Sequence, residues 1–537
     1  MAAKLPMLCL QRIFEELLPL DLTTSYSYLF SCTLVNRYWS DIAISILWRH
    51  PFERQWWSEP ATKLLDIYIS HFPKDERKLF INDNSITKYE RPPSHDYVSY
   101  LRSLKTENLS YATTNWLRNK PTISTDFKVI YEIFCRFFIR YARNLELLEY
   151  ETSNKINIFE LSGATSSLLK LKSLVVIDQD YPTRSFITAS KVSKNVQILD
   201  ITINNHIPRL DLAASVRIND LMNLVSSQKS LEDFILKNEH PKCSECGTRD
   251  QSGVLDFRIV FESLIDHALT LSRVELGWVD FHGEFPFLQL AECKNLGDLY
   301  LDRCQNFGNQ DYKEIDSTSF GQLFKLTIKL TPFPASILCK ILTNAGKSLK
   351  YLHLDQRSFL SSGKILKNTI QICTLNNPNL LKLTAYIYTS EISNLPNFFS
   401  ICQKLKSFKI WDINTSPDND FQSIFQLNSS IITDVESILP LMSTKFPPHL
   451  VEFEVNMNWK FSEIALTEFI RKIRTRINFL GFRYCNCFTE SHFEVLIEHL
   501  KHPLKILDIS QRGDNRVGDI SWDLIRKSRR IINRVVK

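Results

Sequence analysis

One short hydrophobic figure, apolar-x-x-apolar-x-apolar, recurs along most of this chain. It starts at Leu145, Leu171, Val196, Leu231, Leu271, Leu296, Leu323, Leu349, Leu380, Leu405, Leu450, Ile477 and Leu504. Leu296, Leu299 and Leu301 form one instance; Leu405, Phe408 and Ile410 form another. The second and third apolar members alternate with polar residues, the period-two pattern of a half-buried strand, and a stretch able to form a helix follows each figure. Successive starts lie 26, 25, 35, 40, 25, 27, 26, 31, 25, 45, 27 and 27 residues apart, so eight of twelve intervals fall between 25 and 27. Chance leucine content gives isolated matches, not an even spacing.

A strand and a helix every 25 to 27 residues resembles leucine-rich repeats. Cysteine reinforces the likeness by occupying recurring slots. Cys293 and Cys402 each lie three residues before their first leucine, and Cys304 and Cys485 each lie eight after the first apolar residue of theirs. The pattern resembles the cysteine-containing leucine-rich repeats that often follow F-boxes. The expected fold is α/β: a leucine-rich-repeat solenoid over 125–537, with a curved parallel sheet inside and helices outside, each repeat burying its apolar face against the next. The longer intervals predict insertions, such as Asn238 to Gly253 and Thr415 to Thr433. Over 51–124 no repeat is visible; this stretch reads as a helical linker and N-terminal cap. The amphipathic run Val129, Ile130, Ile133, Phe134, Phe137, Phe138 and Tyr141 predicts a helix sealing the end of the solenoid.

Residues 1–50 carry a different pattern. Leu10, Ile13, Phe14 and Leu17 share one helical stripe that begins after Pro6. Asp21 can cap a second helix bearing Leu22, Tyr26, Leu29, Phe30 and Thr33, and a third runs from about Arg37 to Trp48, with Trp39, Ile42, Ala43 and Ile46 on its apolar side. Three such helices make a bundle too small to bury all this apolar surface. The string Leu5-Pro6, Leu10, Ile13-Phe14, Leu17, Asp21-Leu22, Val35-Asn36-Arg37, Trp39 and Leu47-Trp48-Arg49 resembles the F-box motif over about a tenth of the chain. Two positions depart from it: Leu8 stands where an acidic residue is common, and Asn36 where a cysteine is usual. The resemblance implies a substrate-recognition adaptor of a Skp1–cullin–F-box (SCF) ubiquitin ligase. In that role Leu5, Pro6, Leu10, Ile13, Phe14, Leu17, Leu22, Val35, Trp39 and Trp48 meet the Skp1 adaptor, which leads to cullin and the RING subunit. The alternative is a Skp1-binding or other protein-interaction scaffold with no ligase role.

Composition narrows the remaining classes. With 65 basic and 59 acidic residues the net charge is only +6, and the densest basic run, Arg526 to Arg530, reads as a solvated terminal helix rather than a nucleic-acid surface. No run approaches the roughly 18 to 20 apolar residues that span a bilayer. Leu5 to Leu10 is too short for a signal peptide, so the expected setting is cytoplasmic or nuclear, with the twelve cysteines reduced. Glycine is scarce, at 13 residues. Gly346-Lys347-Ser348 lacks the first glycine of a phosphate loop, its place being taken by Ile341. Cys243 and Cys246 with His240 supply only half a zinc site, and His492, His499 and His502 lack ligand spacing and read as surface residues. No cofactor and no catalytic motif is expected.

Contacts with a target protein are expected either in the insertion loops or at the residues two, four and six places after each first apolar residue, which project from the strands. The aromatic-rich middle repeats place Tyr300, Asp302, Tyr351, His353, Asp355, Tyr386 and Trp411 there. Tyrosine and tryptophan concentrate binding energy because they bury large areas while keeping a polar handle.

Overall fold

A computed structural model describes residues 5–17, 22–53, 59–77, 93–120, 126–178, 184–204, 211–239, 255–283, 285–308, 317–355, 368–412, 432–485, 487–510, 522–529 and 531–536. Asp21, Cys243, Cys246 and most of both long insertions lie outside these residues. The chain divides into two compact units, Met1–His267 and Ala268–Lys537.

The first unit opens with α1 (Met7–Glu16), α2 (Leu22–Thr33) and α3 (Arg37–Leu47). Asn36 proves to be a cap: its side chain accepts the Trp39 N–H at 2.9 Å, satisfying one orphan donor of α3. Leu10, Phe14, Leu29, Ile42, Ala43 and Ile46 form the core of the three helices. Trp39 meets Phe14 edge to face, with ring centroids 5.3 Å apart. The chain continues through α4 (Glu59–Ile69) and two helices, Thr106–Arg118 and Phe127–Tyr141. These pack through Phe72, which stacks on Phe137 at 3.9 Å, and through the Trp116 indole, which donates to Asp66 at 2.8 Å.

The parallel strands of this unit are β1 (Ser103–Lys105), β2 (Leu147–Glu151), β3 (Ser173–Asp178), β4 (Ile198–Asn204) and β5 (Asp233–Glu239), in sequential order. β1 corrects the expected boundary, since the ladder starts inside 51–124 rather than at 125. Ser103 pairs with Leu147 in the repeat register. The figure was hidden there because Leu101 and Leu104 are followed by Thr106, a buried polar residue, where the third apolar member belongs.

The second unit contains β6 (Arg273–Gly277), β7 (Asp298–Asp302), β8 (Lys325–Lys329), β9 (Tyr351–Asp355), β10 (Lys382–Ile387), β11 (Ser407–Asp412), β12 (Thr433–Asp434), β13 (Glu452–Asn456), β14 (Trp459–Lys460), β15 (Phe479–Arg483), β16 (Leu504–Asp508) and β17 (Ile532–Val536). β12 and β14 pair with each other, and the rest run parallel in chain order. All thirteen figures therefore carry a strand. Twelve of these strands open two residues after the first apolar position and one opens on Leu504 itself. Insertions leave the register intact: Ser407 faces Glu452 across 45 residues of chain. Between strands lie short helices such as Ala335–Ala345, whose Ile337, Leu338, Ile341, Leu342 and Ala345 are buried. The fold is an α/β solenoid of leucine-rich repeats.

Three recurring devices hold the stack together. The carbonyl one residue after the first apolar position accepts two N–H groups from the next repeat, as Glu146 does from Lys172 and Ser173 and as Phe324 does from Lys350 and Tyr351. Arg49, just past α3, gives its carbonyl to Arg102 and Ser103 in the same manner, at 2.9 and 3.1 Å, so the helical module enters the ladder as though it were a repeat. Asparagine immediately before the first apolar residue reaches back to the preceding repeat: Asn195 to Leu169, Asn295 to Leu269 and Asn379 to Lys347. Finally, the seventh residue after the first apolar position turns left-handed in Trp278, Arg303, Leu330 and Tyr484. Each donates its N–H to the following repeat, to Asp302, Lys329, Asp355 and Ser510.

That turn sends the eighth residue inward, which explains the cysteine slot. Cys304 and Cys485 are buried and donate to Leu276 and Met457 of the preceding repeat at 3.3 and 3.2 Å. Burial pushes the Cys304 thiol up to about 12, so it behaves as a small apolar residue with a weak donor.

After β7 the chain needs glycine. Gly308 has φ +76, and a Cβ there would lie 1.9 Å from the Gly283 carbonyl oxygen. Gly308→Ala is expected to destabilise the second unit by about 1–3 kcal/mol from the backbone conformation alone, and more once the clash is counted. Urea unfolding of the variant, with Ala345→Gly at the end of the helix Ala335–Ala345 as a comparison, measures it.

Candidate protein-interaction surfaces

The helical module leaves a large apolar surface uncovered. Leu5, Met7, Leu8 and Ile13 of α1 and its lead-in, Tyr28 and Phe30 of α2, and Leu34, Val35 and Tyr38 around the α2–α3 turn are all exposed, Leu8 to 78%. The Tyr38 hydroxyl donates to the Leu5 carbonyl at 3.1 Å, which brings the α2–α3 turn against the start of α1. Isolated exposed apolar residues are ordinary, but a concentration such as this marks an interaction surface.

The expected adaptor contacts divide between this surface and the interior. Leu5, Ile13 and Val35 are exposed, and Pro6 caps α1 beside them. Leu10 and Phe14 are a correction: each is 1% exposed and lines the module's own core, because three helices this short need them to hold together. Leu17 and Trp39 are half-buried against that core. Trp48 instead packs on Tyr68 of α4 and on Tyr97, at 5.5 and 4.1 Å, and so secures the module to the rest of the first unit. Leu22 opens α2. Phe30 of α2 faces solvent, and Met7, Leu8, Leu34 and Tyr38 also belong to the exposed surface, although they are not among the contacts expected from the sequence.

On the sheet, the register aligns the outward positions of neighbouring strands. Tyr300 is half-buried with the Lys329 ammonium 5.1 Å from its ring centre, and Trp411 holds the Lys409 ammonium at 4.9 Å. Tyr386 is another correction. It is 3% exposed, because Trp411 stacks on it at 5.1 Å with the rings 11° from parallel. Asp355 is likewise buried, leaving Tyr351, His353 and Trp411 as the accessible part of that group. Asp302 is half-buried, and burial raises its carboxyl above the usual range against the opposing pull of Arg303 and Lys329.

Further along, Glu454 lies over Gly481, where a Cβ would meet its Cγ at 2.8 Å, and pairs with Lys409 at 2.8 Å and Arg483 at 3.4 Å. Arg483 also grips Asp508. Glycine in this strand thus makes room for a charge relay from β11 to β16.

His353 sits centrally on this face. Burial lowers its imidazole from 6.5 to about 4; Lys329, Lys382 and Lys409 act in the same direction and Asp355 opposes them. Folding therefore favours the neutral ring. The stability so contributed is fully present above pH 6.5 and is lost as pH falls through 4. Between these limits a loss of about 1–2 kcal/mol is expected after solvent screening. Urea unfolding at pH 7, 5 and 4 tests this, with a shallower slope expected for His353→Gln.

His492, read from sequence as a surface residue, is buried. Its two ring nitrogens contact the Thr489 hydroxyl at 2.8 Å and the Phe461 carbonyl at 3.1 Å, closing a helix N-terminus. Gly346 ends its helix with a φ of +49. Among the described residues no group of His, Cys, Asp and Glu is placed to hold a metal, and no helix is long and apolar enough to cross a membrane.

No family model matches the chain, and no curated protein matches it. Among solved structures it is similar to a chain of the Rad7 and Elc1 complex from yeast, at 12% identity over 76% of this chain and 90% of that one, with a TM-score of 0.34. It is also similar to a chain of the mouse RP105/MD-1 complex, at 12% identity over 81% and 84%, with a TM-score of 0.33.

Proposed function

We propose that the protein is a non-catalytic adaptor, cytosolic or nuclear, that joins a Skp1-type subunit of an SCF ubiquitin ligase to a target protein. The observation that carries this reading is the apolar surface of α1 and the α2–α3 turn, on the segment that resembles an F-box. Leu5, Pro6, Met7, Leu8, Ile13, Leu34, Val35 and Tyr38 supply the contact, while Leu10, Phe14 and Trp39 keep the helices in shape. The strands of the second unit present Tyr300, Tyr351, His353 and Trp411 to the target. The chain contributes no acid, base or nucleophile; its effect is proximity, which replaces a bimolecular encounter between the charged ubiquitin carrier and a substrate lysine.

Affinity purification of the full chain tests both levels of the reading. Recovery of Skp1 together with cullin and the RING subunit is the expected result. Recovery of Skp1 without cullin would indicate a scaffold instead, and recovery of neither would sink the proposal. For the target surface, a Tyr300→Ala/Trp411→Ala variant is expected to retain Skp1 and lose targets trapped by proteasome inhibition.

A further inference from the structure

The outward positions of β8 to β11 form a grid of three rows on four strands. The register puts Lys325, Tyr351, Lys382 and Ser407 in one row, and Thr327, His353, Thr384 and Lys409 in the next. Lys329, Asp355, Tyr386 and Trp411 make the third. With strands about 4.8 Å apart the grid is about 14 Å wide. Lys329, His353 and Lys382 lie on its diagonal, with His353 at the centre.

Four of the grid's charged members are lysines and one is a carboxylate, and the carboxylate, Asp355, is the buried one. Solvent therefore meets positive charge interleaved with Tyr351, His353 and Trp411. Lys325 and Lys409 reach toward the flanks, pairing with Asp298 and Glu454 at 2.8 Å each. Lys329 and Lys382 have no ion pair among the described residues. The flanking strands have the opposite sign: Asp298 and Asp302 on β7, and Glu452 and Glu454 on β13. The arginines farther out are engaged, Arg273 with Glu275 and Arg483 with Asp508.

We infer that this grid takes a short acidic segment of the target protein, whose anionic groups seat between Lys329 and Lys382 over His353, with Tyr351 and Trp411 packing on its backbone. The inference rests on the reading of these strands as the target surface and adds the class of target. An extended chain rising about 3.3 Å per residue fits about four residues into the grid. Lys325 and Lys409 are already matched by Asp298 and Glu454, so the remaining positive charge of Lys329 and Lys382 suits a segment with two or three anionic residues bounded by neutral ones. Carboxylates and phosphates satisfy this chemistry equally.

Panning a random dodecapeptide display library on the full chain, followed by titration of the enriched peptides, tests the inference. Enriched sequences are expected to hold two or more Asp or Glu within about four residues. Their affinity should fall at least tenfold in Lys329→Glu/Lys382→Glu, with an unchanged thermal melt, and should weaken as salt rises from about 0.05 to 0.3 M. Lys472→Glu, on an outer helix, is expected to leave affinity unchanged. Replacing the enriched glutamates by phosphoserine or by glutamine separates the two anion sources: stronger binding of the phosphopeptide identifies phosphate, equal or weaker binding identifies carboxylate, and glutamine should abolish binding in either case. Enrichment of neutral or basic peptides that Trp411→Ala abolishes and the charge reversal spares would overturn the acidic class while leaving the surface in place. Peptides insensitive to both variants, or no enrichment, would overturn the surface as well.

Discussion

Replacing Arg217 by methionine is expected to destabilise the first unit by about 3–5 kcal/mol, equivalent to a fall in Tm on the order of 10 °C for a unit of this size. Arg217 lies on the helix Asp211–Ser226, and its guanidinium binds Asp178, the last residue of β3, through Nε at 2.6 Å and a second nitrogen at 2.5 Å. The two side chains are 6% and 1% exposed. The other Asp178 oxygen accepts the Thr152 hydroxyl at 3.1 Å, so one carboxylate connects β3, the turn after β2 and a helix. Methionine matches the arginine stem but leaves the carboxylate buried without its cation, and that uncompensated charge is the source of the loss. Making Asp178→Leu in the same chain should recover most of the lost stability, since an apolar pair of similar volume avoids both desolvation costs. Thermal melts of the two variants and the parent check this; a single variant as stable as the parent would show that water reaches the pair.

The second large effect concerns binding without folding. Leu8→Asp/Val35→Asp is expected to weaken Skp1 capture by at least a hundredfold with the melt unchanged, because both side chains already face water while an interface core rarely tolerates a desolvated, unpaired carboxylate. Leu10→Ala and Phe14→Ala should fail by a different route. Each removes a side chain from the module's core, costs about 2–5 kcal/mol and releases the helices. Capture assays alone would not distinguish these routes; limited proteolysis would, since only the core variants should become cleavable within 5–47. Full capture by Leu8→Asp/Val35→Asp would remove the helical surface as the docking site.

The repeats were legible because their first, fourth and sixth positions must be apolar for a strand to seat on the core, and that requirement survives insertions of any length. Where those positions are polar the repeat vanished from view. β1 has Thr106 in the third apolar place, and β17 begins at Ile532 and reaches Val535 but then Lys537. The asparagine bonds and the left-handed seventh residue were equally invisible, as backbone partners leave no hydrophobic trace. The surface was read less well than the core. Alternation states which side of a strand a residue takes, not whether a neighbour covers it, so Tyr386 and Asp355 were counted as accessible although Trp411 lies over Tyr386 and both are buried. In the helical module the resemblance to an F-box put Leu10 and Phe14 at a contact, and periodicity offered no check, since it does not separate a core stripe from a docking stripe when both are apolar.

The Arg49 carbonyl, by entering the ladder through Arg102 and Ser103, removes the hinge that a tethered module would otherwise have. A partner seated on residues 5–38 would then be carried by the first unit as a fixed arm. Its effective concentration at a site along β1 to β5 would be set by geometry rather than by the square-root reach of a flexible tether. Under the proposed adaptor role such an arm would have one fixed reach, so the spacing of the groups it brings together along β1 to β5 would serve as a ruler of the arm's length.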